Sequence, residues 1–138
     1  VHKTQSVVSD ALGRVGVREP IGLLAGLGGP EIAHLAGVIV GVAGAGGVVV
    51  LDGFVTAVAA LVADRLSPGL SDHLVAGQQS NERAHASVLE ALGLEALLHL
   101  RLRAGEGIGA ALATRMLLDA CSIREAAPRM VGAGLNPG

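Results

Sequence analysis

The chain has 138 residues, of which 51% are hydrophobic, with 21 glycines, one phenylalanine and neither tryptophan nor tyrosine. This length suits a single domain whose core is built from Ala, Val, Leu and Ile. The formal net charge of −2 and the lack of stacking aromatic side chains argue against nucleic-acid binding. A lone cysteine, Cys121, excludes an internal disulfide and a cysteine-based zinc cluster, and we expect its thiol to be buried.

Apolar residues recur at helical spacing through most of the chain, and glycines and prolines mark where the helices begin and end. Pro30 is placed to begin one helix and Gly93 to end another. Gly37 and Gly41 lie four residues apart, a spacing that permits close packing on another element. The predicted helices span residues 1–12, 20–27, 30–43, 54–65, 81–92 and 109–122, with a turn of helix at 94–98 and a last helical piece at 123–131.

Extended segments alternate with these helices. Residues 48–51 are a continuous β-branched and leucine run, typical of a strand buried on both faces of a parallel sheet. Residues 73–77 and 99–103 are two further strand candidates. The alternation predicts an α/β fold with a partial parallel sheet of about three strands and flanking helices. So few strands are expected of a piece of a larger α/β protein rather than of a free-standing sheet.

Residues 35–51 carry no charge and approach the length of a membrane-spanning helix. Glycines at 44, 46 and 47 divide the segment, so we predict a helix, a turn and a buried strand instead of a span. We find no signal peptide at the N-terminus, which opens without the apolar run that such peptides carry. We therefore expect a cytoplasmic protein with no membrane partner.

Polar residues follow each strand candidate, at Asp52, Gln78 and Glu106. Ligands of parallel sheets bind beyond the carboxyl ends of the strands, so these side chains are predicted to share one rim. Glu106 lies among alternating glycines before a helix, as either a helix-start residue or an acid/base group. Asp52 either binds a ribose hydroxyl or caps the next helix, and Ser80 either caps a helix or helps to bind an anion or ribose. The five histidines are scattered, and we expect no metal site.

Several of these segments, taken in order, match one family. They are Gly28-Gly29-Pro30-Glu31-Ile32-Ala33, Val50-Leu51-Asp52-Gly53-Phe54, Ser80-Asn81-Glu82, Leu89-Glu90-Ala91-Leu92-Gly93-Leu94-Glu95, Gly105-Glu106-Gly107 with Gly109-Ala110, and Glu125-Ala126-Ala127. Together they resemble the C-terminal part of the nicotinate-nucleotide–dimethylbenzimidazole phosphoribosyltransferases of cobalamin nucleotide-loop assembly. The resemblance covers almost all of residues 1–138 and implies one piece of a larger Rossmann-like α/β enzyme, without its N-terminal nucleotide-binding part.

The resemblance implies transfer of the phosphoribosyl group of nicotinate mononucleotide to 5,6-dimethylbenzimidazole, giving nicotinate and α-ribazole 5′-phosphate. It makes Glu106 the catalytic base that accepts the azole proton, with no cofactor or metal, in a homodimer. The residues that it implies for substrate binding are Lys3 near the phosphate, Ser80 in the nucleotide site, Asp52, Gly53 and Phe54 at its rim, and Ala104, Gly105 and Gly107 beside the base.

The sequence also departs from the family pattern, which usually has Ser or Thr at Ile108, Leu at Ala104 and Ser-His at Gly77-Gln78. Ile108 could weaken contacts with the phosphate or the ring, and Ala104 could enlarge the pocket for the base. Gly77-Gln78 could alter contacts with the nucleotide. Because family enzymes are more than twice this long, we expect the 138 residues alone to be silent or very weak. The alternative is a non-catalytic core piece that serves as a dimerisation module.

Overall fold

The computed structural model describes residues 2–16, 18–101 and 106–127, with side chains from residue 5 onward. The described residues form an α/β fold, as predicted. Its elements are α1 (His2–Val15), α2 (Pro20–Leu27), α3 (Pro30–Gly44), β1 (Val49–Leu51), α4 (Phe54–Leu66), a 3₁₀ turn (Leu70–His73), β2 (Leu74–Ala76), α5 (His85–Leu92) and α6 (Ile108–Ala126).

The two described strands pair in parallel, with Val50 of β1 opposite Val75 of β2. The connection between them runs through α4, as a parallel crossover requires. The sheet continues past β2 at an isolated parallel bridge between Gln78 and Leu98. Both strands therefore end on the same side, directly before Asp52 and Gly77.

The third strand, predicted at residues 99–103, does not form over its described part. The chain instead meets the end of β2 at Leu97 and Leu98, whose N–H groups donate to the Ala76 and Gly77 carbonyls at 2.9 and 3.1 Å. Arg101 then takes a φ of 51°, a left-handed value that an extended strand cannot contain. The turn of helix predicted at 94–98 is also wrong, because this part of the backbone pairs with the end of β2 instead.

The core is organised around α4, which packs between α3 and α5. Small side chains on α4 are fully buried, and they let the neighbouring helices approach closely: these are Ala57, Ala59, Ala60 and Ala63. Ile39 of α3 and Leu89 of α5 are also buried, at 3% and 4% exposure. The core is thus aliphatic and alanine-rich, as the composition predicts.

Three expectations about the helices need correction. Nothing described lies within 4 Å of a Cβ built on Gly37 or Gly41, because α3 packs through its other face, at Ala36 and Ile39. α6 continues without a break at residue 122, since no helix-breaking residue interrupts it and the Ser122 hydroxyl bonds the Leu118 carbonyl inside the helix. Cys121 is exposed rather than buried, as is every described residue from 118 to 127.

The uncharged segment at residues 35–51 divides as predicted into the end of α3, a turn and β1. No helix in the described part of the chain has the length and apolar character needed to cross a membrane.

Candidate active site

The site lies where the two strands end and α6 begins. Gly77 follows β2 and packs directly against the first turns of α6. A Cβ at this position would lie 3.2 Å from the Ala110 Cα and 3.2 Å from the Ala113 Cβ. The absence of a side chain at Gly77 therefore lets the start of α6 touch the sheet, which brings residues 106–110 to the strand ends.

Asp52 links β1 to α6 through its side chain. Its Oδ1 accepts the Ala110 N–H at 3.0 Å, and its Oδ2 accepts the Gly107 N–H at 3.3 Å. Asp52 is 8% exposed as a residue, and its carboxylate lies at the positive end of the helix dipole. A hydrogen bond to a charged group contributes about 1.5–3 kcal/mol. Asp52 thus caps a helix, but that helix is α6 rather than the next one, α4.

The start of α4 is capped by its own threonine. The Thr56 Oγ1 accepts the N–H groups of Asp52 and Gly53, both at 3.1 Å, and its hydroxyl donates to the Gly53 carbonyl at 2.8 Å. The backbone that carries Asp52 is therefore held in place by α4. Phe54, the first residue of α4, is half-buried and meets the His85 ring edge-on, with centroids 6.3 Å apart.

Ser80 is held by a histidine five residues further along. Its N–H donates to the His85 Nδ1 at 2.9 Å, and its hydroxyl oxygen lies 2.7 Å from the same nitrogen. Because Nδ1 accepts, the ring proton belongs on Nε2. Burial lowers the pKa of His85 below its usual 6.5, more strongly than the nearby charges of Glu82 and Asp52 raise it. The imidazole is thus favoured in its neutral form.

This contact also changes where α5 begins. The predicted start at Asn81 is wrong, because the His85 N–H bonds the Glu82 carbonyl in a turn and the helix begins at His85. Ser80 consequently does not cap α5, whose N-cap residue is Ala84. A hydrogen bond from the Ser80 side chain is the main reason that the pKa of Glu82 lies below its usual value.

Two buried polar atoms at this edge have no described partner: the Gln78 Oε1 and the His85 Nε2. Gln78 is 3% exposed and lies against Gly109, where its side-chain amide occupies the space that a Cβ would need. His85 is 1% exposed. The edge therefore contains one buried acceptor and, in the tautomer given above, one buried donor, groups that an ordered water molecule usually satisfies.

Glu106 lies just before the start of α6, on the solvent-exposed side of the site. It is exposed, and its carboxylate makes no hydrogen bond or ion pair with any described residue. The next residue, Gly107, is the N-cap of α6 and has a φ of 79°, a conformation that favours glycine. A carboxylate in this position can accept a proton from a bound group.

Asp52, Gln78 and the residue that follows Glu106 lie at one edge, as predicted: Asp52 accepts the Gly107 N–H, and Gln78 packs against Gly109. Ser80 is near this edge as well, since a Cβ built on Gly53 would lie 3.7 Å from the Ser80 Cβ. Lys3 lies in α1, but its side chain is outside the described residues, as are Ala104 and Gly105. No group of three or more potential metal-ligating side chains comes together within the described ranges.

Sequence reasoning missed His85 and Thr56, which hold Ser80 and Asp52 in place. No motif links these pairs. One signal does exist for the Asp52 contact: α6 has no acidic residue in its first turn and a glycine as its N-cap, so its exposed N–H groups need an acceptor from elsewhere.

Comparison with known proteins agrees with the resemblance. A phosphoribosyltransferase family model matches residues 1–134. The nicotinate-nucleotide–dimethylbenzimidazole phosphoribosyltransferase of Xanthomonas axonopodis pv. citri is 43% identical over 136 residues, which cover 98% of this chain and 39% of that protein. The protein of the same name from Ectopseudomonas mendocina is 48% identical over 123 residues, which cover 88% of this chain and 35% of the relative.

A crystal structure of the Thermus thermophilus enzyme of that name matches with a TM-score of 0.84 at 42% identity. The match covers 95% of this chain and 40% of that one, so this chain spans about two fifths of the length of its relatives. The agreement of family model, sequence and fold shows that the chain belongs to the nicotinate-nucleotide–dimethylbenzimidazole phosphoribosyltransferase family.

Proposed function

We propose that these residues form the C-terminal, base-carrying part of an enzyme that transfers phosphoribose from nicotinate mononucleotide to 5,6-dimethylbenzimidazole. The unprotonated ring nitrogen of the benzimidazole attacks the anomeric carbon, and the bond from that carbon to the nicotinate nitrogen breaks. The bonding pair leaves with nicotinate, and the proton on the other benzimidazole nitrogen passes to Glu106. Removing this proton as attack proceeds makes a neutral azole a better nucleophile.

The observation that carries the proposal is the placement of Glu106. Its carboxylate is exposed beyond the carboxyl ends of two parallel strands, and it directly precedes a helix start that Asp52 anchors. Ligands of α/β sheets bind at this edge. A carboxylate with no described partner can take up a proton without first breaking an ion pair.

The remaining roles are proposed from the family resemblance. Ser80 suits contact with the nucleotide, since its backbone N–H donates to the His85 Nδ1 and so fixes the residue at the rim. The residues proposed to contact substrate are Lys3, Asp52, Gly53, Phe54, Ser80, Ala104, Gly105 and Gly107. Positioning the two substrates accounts for much of the expected rate, because oriented reactants gain a large effective molarity.

A hybrid enzyme tests this function. In it, these 138 residues replace the matching segment of the Xanthomonas axonopodis relative, to which they are 43% identical. We expect the hybrid to form α-ribazole 5′-phosphate and nicotinate from the two substrates, measured by chromatography and mass spectrometry. A folded hybrid that binds nicotinate mononucleotide but releases no nicotinate would contradict the proposal. The unaltered relative serves as the positive control.

We propose that the 138 residues alone turn over very slowly. Glu106 is exposed, and no described residue covers its carboxylate, whereas transfer to an acceptor base rather than to water needs a site that excludes water. Assay of the isolated chain beside the hybrid tests this. Equal turnover in the two proteins would refute it.

A non-catalytic role as a dimerisation module is the second candidate, and the second half of α6 favours it. Leu118 and Ile123 are 57% and 69% exposed on a segment where every described residue is exposed. A dimerisation module should form dimers in analytical ultracentrifugation without binding nicotinate mononucleotide. A homodimeric state and a cytoplasmic location of the enzyme are proposed from the resemblance, and sedimentation and cell fractionation test them.

A further inference from the structure

Asp52 is tied to the turn that carries Glu106 by two hydrogen bonds that span more than fifty residues of sequence. The acceptors are both oxygens of one carboxylate, and the donors are the N–H groups of Gly107 and Ala110, at 3.3 and 3.0 Å. The residue is only 8% exposed, so water competes little for these bonds.

The start of α6 depends on this carboxylate. The first N–H groups of a helix have no partner inside the helix. The N-cap residue of α6, Gly107, has no side chain, and no acidic residue lies in the first turn. Asp52 therefore provides the side-chain cap that the local sequence of α6 does not contain.

Asp52 is itself held in place. The Asp52 N–H donates to the Thr56 Oγ1 at 3.1 Å, which ties the residue to the first turn of α4. On the other side, α6 touches the end of β2 through Gly77. The Glu106–Gly107 peptide is thereby attached to two elements of the core, although the Glu106 side chain is exposed.

We propose that Asp52 is a positioning residue for the reaction: its carboxylate fixes the Gly107 and Ala110 amides and so sets where the Glu106 carboxylate meets the acceptor base. This rests on the proposed function, and it replaces the substrate contact that the resemblance implies for Asp52, because both of its carboxylate oxygens already accept N–H groups of α6. A displacement of about 1 Å at a reacting group can lower a rate about 100-fold. Loss of the hydrogen bonds from Asp52 to α6 should therefore lower mainly kcat.

The test compares Asp52→Asn and Asp52→Ser in the hybrid enzyme with Asp64→Asn. Asp64 is a matched control because its carboxylate also accepts one backbone N–H, that of Ser71 at 3.1 Å, in a different part of the fold. We expect Asp52→Asn to lower kcat about 10- to 100-fold, with KM for nicotinate mononucleotide changed by less than about threefold. Hydrogen exchange of residues 107–110 should become faster, and Asp64→Asn should change none of these.

Different results would overturn the inference. If the folded Asp52→Asn protein keeps its kcat although the amides of residues 107–110 exchange faster, then Asp52 stabilises the start of α6 but does not affect the reaction. A large rise in KM with unchanged amide exchange would make Asp52 a substrate contact. If Asp52→Asn does not fold, Asp52→Ser, whose shorter side chain keeps one acceptor, decides by the same readouts. The Glu106→Gln variant separates the two proposals. If it loses kcat while Asp52→Asn keeps the kcat of the parent hybrid, only the role of Asp52 is refuted. If Glu106→Gln is fully active, the assignment of Glu106 as the base is refuted.

Discussion

The contact of α6 with the sheet leads to a prediction for Gly77→Ala. A Cβ on residue 77 would lie 2.7 Å from the Leu51 carbonyl oxygen and 3.2 Å from both the Ala110 Cα and the Ala113 Cβ, where ordinary contact begins at 3.4 Å. Two of these three atoms belong to the backbone. Relief therefore requires α6 and β1 to move, and it strains the 2.8 Å hydrogen bond from the Gly77 N–H to the same Leu51 oxygen.

The expected cost is that of an overpacked core, about 1–3 kcal/mol of unfolding free energy. For a chain of this size, that corresponds to a fall in Tm of roughly 3–15 °C. Thermal and urea unfolding followed by circular dichroism measure it. Gly41→Ala is the control, because residue 41 is exposed in α3 with nothing described within 4 Å of its Cβ. That variant should gain about 0.5–1 kcal/mol. A Gly77→Ala protein as stable as the parent would refute the close approach of α6 and Leu51 to residue 77.

The remaining predictions concern His85. His85→Ala should lower the unfolding free energy by about 1–3 kcal/mol, because the Ser80 N–H loses its acceptor in a half-buried place; an unchanged urea midpoint would contradict this. The pKa of His85 is lowered from 6.5 by burial, so below about pH 6.5 the unfolded chain binds a proton that the folded chain resists. Stability should therefore decrease as the pH falls from about 6.5, and this component should vanish in His85→Ala. Identical pH dependence of the two proteins between about pH 5 and 6.5 would show that the ring is not held neutral.

Local sequence signals predicted most of the helices and the two described strands. Pro20 and Pro30 stand at the first position of α2 and α3, and the run before Asp52 forms β1. Secondary-structure propensity and the spacing of apolar residues depend on neighbours a few residues away, and helix starts and short strands extend over the same range. The third strand predicted at residues 99–103 does not form over its described part, because the left-handed backbone of Arg101, which its residue type does not suggest, cannot lie in an extended strand.

The position of the site at the strand ends could be predicted from the sequence, but the hydrogen bonds that connect its residues could not. Parallel strands put Asp52 and the residues after Gly77 at one edge, and the glycines around Glu106 indicated a helix start. The bond from Asp52 to Ala110 joins residues 58 apart in sequence, and no local pattern encodes such a contact. The predicted burial of Cys121 was wrong because an apolar helical pattern does not reveal which helix faces lack a packing partner.

The most direct test of the proposed base is the rate of nicotinate release by the hybrid enzyme and by its Glu106→Gln variant, with both substrates saturating. Gln keeps the shape of the side chain but cannot accept the azole proton. We expect kcat to fall about 10²- to 10⁴-fold, while KM for nicotinate mononucleotide changes little. A variant that releases nicotinate at the rate of the parent hybrid would contradict the assignment of Glu106 as the base.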